Sequence, residues 1–159
     1  MKIMIGNDHG GYKHKLSFVV FLKSKGIEVV DIGTDSEKIV RYPYYAAKTA
    51  RAVATGEVDR GILICSTGIG MSIAANRFRG VRASLCTNAV MGKLTRAHNN
   101  SNLLCLGGKI TNVFEAIEIL QVWLDTPYEG GRHDISLGII GEIEETVCLD
   151  ADFDLKTEK

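Results

Sequence analysis

Proline is scarce in this chain of 159 residues, occurring only twice, and no Pro/Ser-rich or low-complexity stretch divides it. Nothing in the sequence therefore marks a linker between domains. An excess of either charge is missing too: 19 Lys and Arg balance 19 Asp and Glu, for a formal net charge of +0. A nucleic-acid or anionic-membrane surface normally shows as a basic excess or a Lys/Arg cluster, so neither partner is expected, and any anionic ligand must be small and locally bound. No apolar run approaches a membrane span, and the opening MKIMIGND turns polar after five residues, too early for a signal peptide. The cysteines are few, at positions 65, 86, 105 and 148, and form neither a CxxC nor a Cys/His pair at zinc-ligand spacing. Free thiols in a reducing cytoplasm are the expectation, with no metal.

What is present is a regular alternation. Short apolar runs recur at 2–6, 27–32, 61–65, 81–85 and 102–106, and between them lie stretches with helical spacing at 16–22, 46–53, 73–78, 89–97 and 113–124. Strand then helix, five times over, predicts a five-stranded parallel sheet covered by helices on both faces, an α/β fold of three layers. Gly26, Gly56, Gly80 and Gly107 stand where a left-handed residue commonly closes a helix. A last amphipathic stretch runs from about 134 to 145, and 146–159 reads as a polar, acidic tail.

In an open parallel sheet, ligands bind at the carboxyl ends of the strands, beside the N-termini of the following helices. Two Gly-rich turns stand there: Gly6-Asn7-Asp8-His9-Gly10-Gly11, and Cys65-Ser66-Thr67-Gly68-Ile69-Gly70-Met71-Ser72. Each opens a helix, where unpaired N–H groups suit a phosphate, a carboxylate or a developing oxyanion; the alternative is that the glycines only make tight turns. Nucleotide motifs fail. Gly68-x-Gly70 lacks the third glycine of a dinucleotide fingerprint, its place taken by Ile73, and Gly107-Gly108-Lys109-Ile110-Thr111 lacks the leading glycine of a phosphate loop. Cys65 sits where such a sheet exposes reactive groups, and a helix start favours the thiolate; a small buried hydrophobe is the plainer reading, and suits Cys86 and Cys105. His98 reads equally as a helix-dipole cap and as an acid–base group. Arg132-His133, after Glu129-Gly130-Gly131, reads as a basic turn before the last helix, either solvated or an anion clamp.

Taken together, Asp8-His9-Gly10-Gly11, Tyr42-Pro43, Cys65-x-Thr67-Gly68-x-Gly70-x-Ser72, His98-Asn99, Gly107-x-Lys109 and Tyr128-x-Gly130-Gly131-Arg132-His133 resemble, in order and spacing, the type B ribose-5-phosphate isomerase and galactose-6-phosphate isomerase family. The resemblance covers residue 1 to about 145. It implies a Rossmann-like α/β/α domain over 1–145, with 146–159 as a tail, in a homodimer or homotetramer with sites at the subunit interface. It also implies interconversion of an aldose phosphate and a ketose phosphate without metal or other cofactor.

Such an exchange moves one proton between neighbouring carbons through an enediolate, so it needs one base beside both carbons and donors for the developing oxyanion. By the resemblance, Cys65 is the base and the turn Ser66 to Gly70, with Gly68 and Ile69, is the anion hole. His98 is the group that moves the hydroxyl proton in ring opening, with Asp8, Thr67 and Asn99 near the ring oxygen and Tyr42 lining the site. Some members carry a Glu six residues beyond the cysteine, where Met71 stands here. His9, Lys109, Arg132 and Ser136 fall on phosphate-binding positions, Lys109 and Ser136 each in place of an arginine. Lysine keeps charge but loses the fork, and serine keeps only a neutral donor. Ser66 stands where glycine is usual and Arg41 where an acid is usual; Arg41 either restores the missing cation or is a surface charge.

The expectation is a cytoplasmic sugar-phosphate isomerase acting on ribose 5-phosphate and ribulose 5-phosphate. A six- or four-carbon sugar phosphate, of the galactose 6-phosphate or allose 6-phosphate kind, is the alternative substrate, and a non-catalytic sugar-phosphate-binding subunit the alternative role.

Overall fold

The computed structural model describes residues 1–146, so the expected tail lies outside the described residues apart from Thr146. The elements follow the expected alternation: β1 (Lys2–Asn7), a 3-10 turn (His9–Gly11), α1 (Tyr12–Ser24), β2 (Glu28–Asp31), α2 (Tyr42–Ala54), β3 (Arg60–Cys65), α3 (Ile69–Ala75), β4 (Ala83–Leu85), α4 (Ala89–Asn99), β5 (Leu103–Gly107), α5 (Val113–Asp125) and α6 (Arg132–Thr146). All strand pairs are parallel, in the order β2-β1-β3-β5-β4.

Successive strand residues face opposite sides of a sheet, and a parallel sheet buries both. Ile3, Ile5, Ile62, Ile64, Leu104 and Leu106 accordingly pack on one side with Phe18 and Leu22 of α1 and Ile119, Leu120 and Trp123 of α5. Their neighbours Met4, Leu63, Cys65, Leu103 and Cys105 pack on the other with Ala46, Ala50 and Val53 of α2 and Met71 and Ala75 of α3. The result is the three-layer α/β/α architecture read from the sequence.

Three local expectations are corrected. The third helix, expected at 73–78, runs from Ile69 to Ala75, because Gly68 takes a left-handed φ of 77° and launches it at once, while the Asn76 side chain ends it by pairing with both the N–H and the C=O of Ala83. Gly26, Gly56 and Gly80 are left-handed as expected, but Gly107 is the last residue of β5 and needs no side chain for another reason: a Cβ there would come within 2.8 Å of the Thr67 carbonyl. Arg132 and His133 are the first turn of α6 rather than a loop before it. The last amphipathic stretch forms α6, and among the described residues nothing covers its apolar face, for Ile135, Ile139, Ile140 and Ile143 are all exposed.

From β1 the chain builds outward to β2 on one side and to β3 on the other. Such a reversal of strand order opens a crevice at the carboxyl ends of the two central strands. The two Gly-rich turns leave β1 and β3 at that crevice.

Candidate active site

Backbone contacts knit the two turns into one surface. The Asp8 N–H donates to Ile64 O at 3.1 Å, and Asp8 Oδ1 caps the 3-10 turn by accepting the Gly10 N–H at 2.8 Å. Gly10 lies directly on Ser66, where a Cβ would stand 2.7 Å from the Ser66 nitrogen, so no larger residue fits. The turn after β5 is tied in as well: the N–H of Gly108 donates to Cys65 O at 2.8 Å and that of Lys109 to Ser66 O at 3.0 Å. Tyr42, at the start of α2, lays its ring over Gly70, where a Cβ would be 2.6 Å from Cζ.

Within this surface the reactive groups differ in setting. Cys65 ends β3, and its Sγ accepts the Gly68 N–H at 3.1 Å, a donor placed to hold negative charge on sulfur. The Thr67 hydroxyl accepts the Ile69 N–H at 3.3 Å, and both of these side chains are exposed. Burial raises the Asp8 carboxyl above its ordinary range, against the pull of the Gly10 N–H and of His9, with Lys109 adding a weaker opposing charge. His9 Nδ1 accepts the Val40 N–H at 3.4 Å, which brings the exposed Arg41 to the rim beside it. The other described cysteines are inert by comparison: burial pushes Cys86 up to about 12, and burial with its neighbouring thiols holds Cys105 well above the thiol range. Met71 is fully buried and points into the core under the turn. One chain thus brings together Asp8, His9, Tyr42, Cys65, Ser66, Thr67, Gly68, Ile69, Gly70 and Lys109.

It does not bring His98, Asn99, Arg132 or Ser136 to them. Crossover helices run antiparallel to the strands they connect, so the C-terminal ends of α4 and α5 lie at the amino edge of the sheet. The arginines there mark that edge: Arg60, opening β3, donates to Leu124 O at 3.3 Å, and Arg82, just before β4, donates to the carbonyls of Asn99 and Asn100, both at 3.1 Å. The eleven residues of α4 span about 16 Å, which separates His98 from the crevice. Within a single chain, then, His98 and Asn99 stand apart from Asp8 and Thr67.

His98 has company that the sequence did not assign. Its ring stacks on His133 with centroids 4.3 Å apart and planes 14° from parallel. Glu129 Oε2 lies 3.8 Å from His98 Nε2 and 3.6 Å from His133 Nε2. Their ligand atoms all fall within 4.8 Å of one another, as a metal site requires. The rings are nearly parallel, however, so their Nε2 lone pairs run side by side instead of converging on one point. The Gly-Gly pair between Glu129 and His133, with its spacing of four, was the available signal.

Residues 3–140 match the ribose/galactose isomerase family. Ribose-5-phosphate isomerase B of Escherichia coli (strain K12) is 46% identical over 144 residues, which cover 91% of this chain and 97% of that relative. Among solved structures, ribose-5-phosphate isomerase B of Clostridium thermocellum superposes with a TM-score of 0.90 at 49% identity, over 92% of this chain and 99% of that one. Ribose-5-phosphate isomerase B of Mycoplasma genitalium, solved with bound ribulose-5-phosphate, gives a TM-score of 0.89 at 36% identity, over 92% and 97% of the respective chains. With the two Gly-rich turns, the strand order and these matches in agreement, the chain belongs to the ribose/galactose isomerase family.

Proposed function

We propose that the chain is an aldose–ketose isomerase that interconverts ribose 5-phosphate and ribulose 5-phosphate. The observation that carries this reading is Cys65 at the end of β3, its sulfur on the Gly68 N–H, in a turn packed against the buried acid Asp8. Relatives whose names specify ribose 5-phosphate, one of them solved with the ketose product, supply the substrate.

The steps follow from the groups. Ring opening moves the anomeric hydroxyl proton to a base and delivers a proton to the ring oxygen. His98 of the partner subunit takes the first, and Asp8, which burial keeps protonated higher than an ordinary carboxyl, serves the ring oxygen. The Cys65 thiolate then removes the C2 proton of the open-chain aldose. The electron pair forms the C1=C2 bond of the enediolate and the charge develops on O1, facing the N–H groups of the turn Ser66 to Gly70. Return of the proton from sulfur to C1, with transfer of the O2 proton to O1, leaves the ketone at C2. The reducing conditions of the cytoplasm, where we place the protein, keep Cys65 a thiol.

The phosphate is held by His9 and Lys109 of one chain and Arg132 of the other, with Arg41 supplying a further cation at the His9 rim. Ser136, one helical turn after Arg132 and unable to offer a guanidinium fork, favours a second reading in which a six-carbon sugar phosphate is the substrate. One panel separates the two: NMR detection of ketose from ribose 5-phosphate, six-carbon aldose 6-phosphates and free aldoses. Ribulose 5-phosphate should form fastest, and Cys65→Ala should lower kcat by about 10² or more. Faster turnover of a six-carbon phosphate selects the second reading, and no ketose from any aldose rejects both.

A further inference from the structure

We propose that Glu129 is a positioning residue for ring opening: acting through His98, its carboxylate sets which imidazole nitrogen carries the proton and offsets the charge the ring acquires. This rests on the reading of His98 as the group that moves the hydroxyl proton.

The seat around His98 is built from main chain first. The Glu129 N–H donates to Ala97 O at 3.0 Å, pinning the segment after α5 onto the last turn of α4, one residue before His98. Gly130 and Gly131 then take φ of 65° and 60°, a conformation that other residues adopt only with strain, and turn the chain back. The reversal starts α6 at once and lays His133 over the same carboxylate, while Tyr128 Oη closes the segment by donating to Asp134 Oδ1 at 2.7 Å.

Glu129 Oε2 consequently stands at the Nε2 edge of both rings, at 3.8 and 3.6 Å. An ionised carboxylate only accepts, so an imidazole facing it turns an N–H toward it. At 3.8 Å the carboxylate is beyond hydrogen-bond length from Nε2, but its charge favours the tautomer with the proton on Nε2, which leaves Nδ1, on the other side of the ring, as the free base. A proton arriving at Nδ1 then makes a cation beside an anion already in place, the logic by which a buried acid orients a catalytic histidine. The His133 ring, stacked at 4.3 Å, blocks rotation of His98. Glu129 itself is more than half exposed, with no other side-chain partner among the described residues. Exposed contacts of this kind add little stability, so a role in holding the fold does not account for the arrangement.

The test is Glu129→Gln, which keeps the size and the main-chain bond to Ala97 and removes the charge. With ribose 5-phosphate, kcat should fall about 10- to 100-fold while KM stays within about twofold, and turnover of an aldose phosphate that cannot close a ring should be unchanged. In a His98→Asn background, Glu129→Gln should have no further effect. Wild-type kcat in Glu129→Gln, equal losses on ring-closed and open-chain substrates, or a loss that multiplies with that of His98→Asn would each overturn the proposal. Failure of the underlying reading looks different: His98→Asn alone would then leave ring-closed turnover intact, and the proposal would fall with it.

Discussion

At the scale of single residues, Asp8 shows how function and stability pull apart. Its carboxyl is raised by burial, against the Gly10 N–H and His9. Between the ordinary value of 3.8 and the higher folded value the native state holds more protons than the unfolded one, so stability falls as pH rises through that window, and the loss persists at neutral pH. Asp8→Asn removes the burden of a buried charge while its Oδ1 still accepts the Gly10 N–H. We expect a higher Tm than wild type at pH 7, a difference that disappears below pH 3.8, and turnover reduced by about 10-fold or more. A lower Tm at pH 7 would mean that the negative charge on Asp8 is stabilising after all. Asp8, His9 and Cys65 were legible in the sequence because a residue just past a parallel strand can only stand at the carboxyl edge. Glu129 was only half so, because its spacing from His133 is local but its anchor on the main chain of Ala97 is not.

Secondary-structure elements carry the site by being tied to one another at their ends. Lys15 of α1 is buried and donates to Asp31 at the end of β2, at 2.9 Å, and to Asp35 in the following segment, at 2.8 Å. That segment leads on to Val40 and Arg41, so the clamp underlies the placement of Arg41 beside His9. Charge-assisted hydrogen bonds contribute about 1.5–3 kcal/mol each, less what water restores to the exposed Asp35. Lys15→Ala should therefore lower the unfolding free energy by about 2 kcal/mol, read from urea denaturation; a change under about 0.5 kcal/mol would make the clamp incidental. The apolar periodicity gave the elements because both faces of the sheet are covered and the central strands β1, β3 and β5 are nearly continuous apolar runs. It misplaced α3 because the start of that helix depends on the left-handed Gly68, not on apolar spacing. The Lys15 clamp joins residues 16 and 20 positions apart and left no local signal.

The molecule as a whole divides its candidate groups between two edges of the sheet. Cys65 and Asp8 stand at the carboxyl edge, and His98, Arg132 and Ser136 at the amino edge, a separation that the proposed pairing with a second copy would remove. Four exposed isoleucines on α6, next to the His98 seat, offer the apolar face such a copy would cover. That His98 ends a helix and precedes β5 was readable, and in a parallel sheet that already implies the amino edge. The return of α6 to the same place was not, because amphipathic spacing shows that a face is apolar and not where the helix lies.

Mixing two inactive variants tests this account most directly. In a dimer whose sites each take Cys65 from one chain and His98 from the other, a Cys65→Ala chain paired with a His98→Asn chain forms one doubly altered site and one intact site. Co-folding the two variants in equal amounts should therefore restore about one quarter of wild-type ribose 5-phosphate isomerisation, since half of randomly paired dimers are mixed and each has one of two sites intact. Activity no higher than the average of the two variants alone would contradict the account, placing Cys65 and His98 of the same chain in one site or removing one of them from the chemistry.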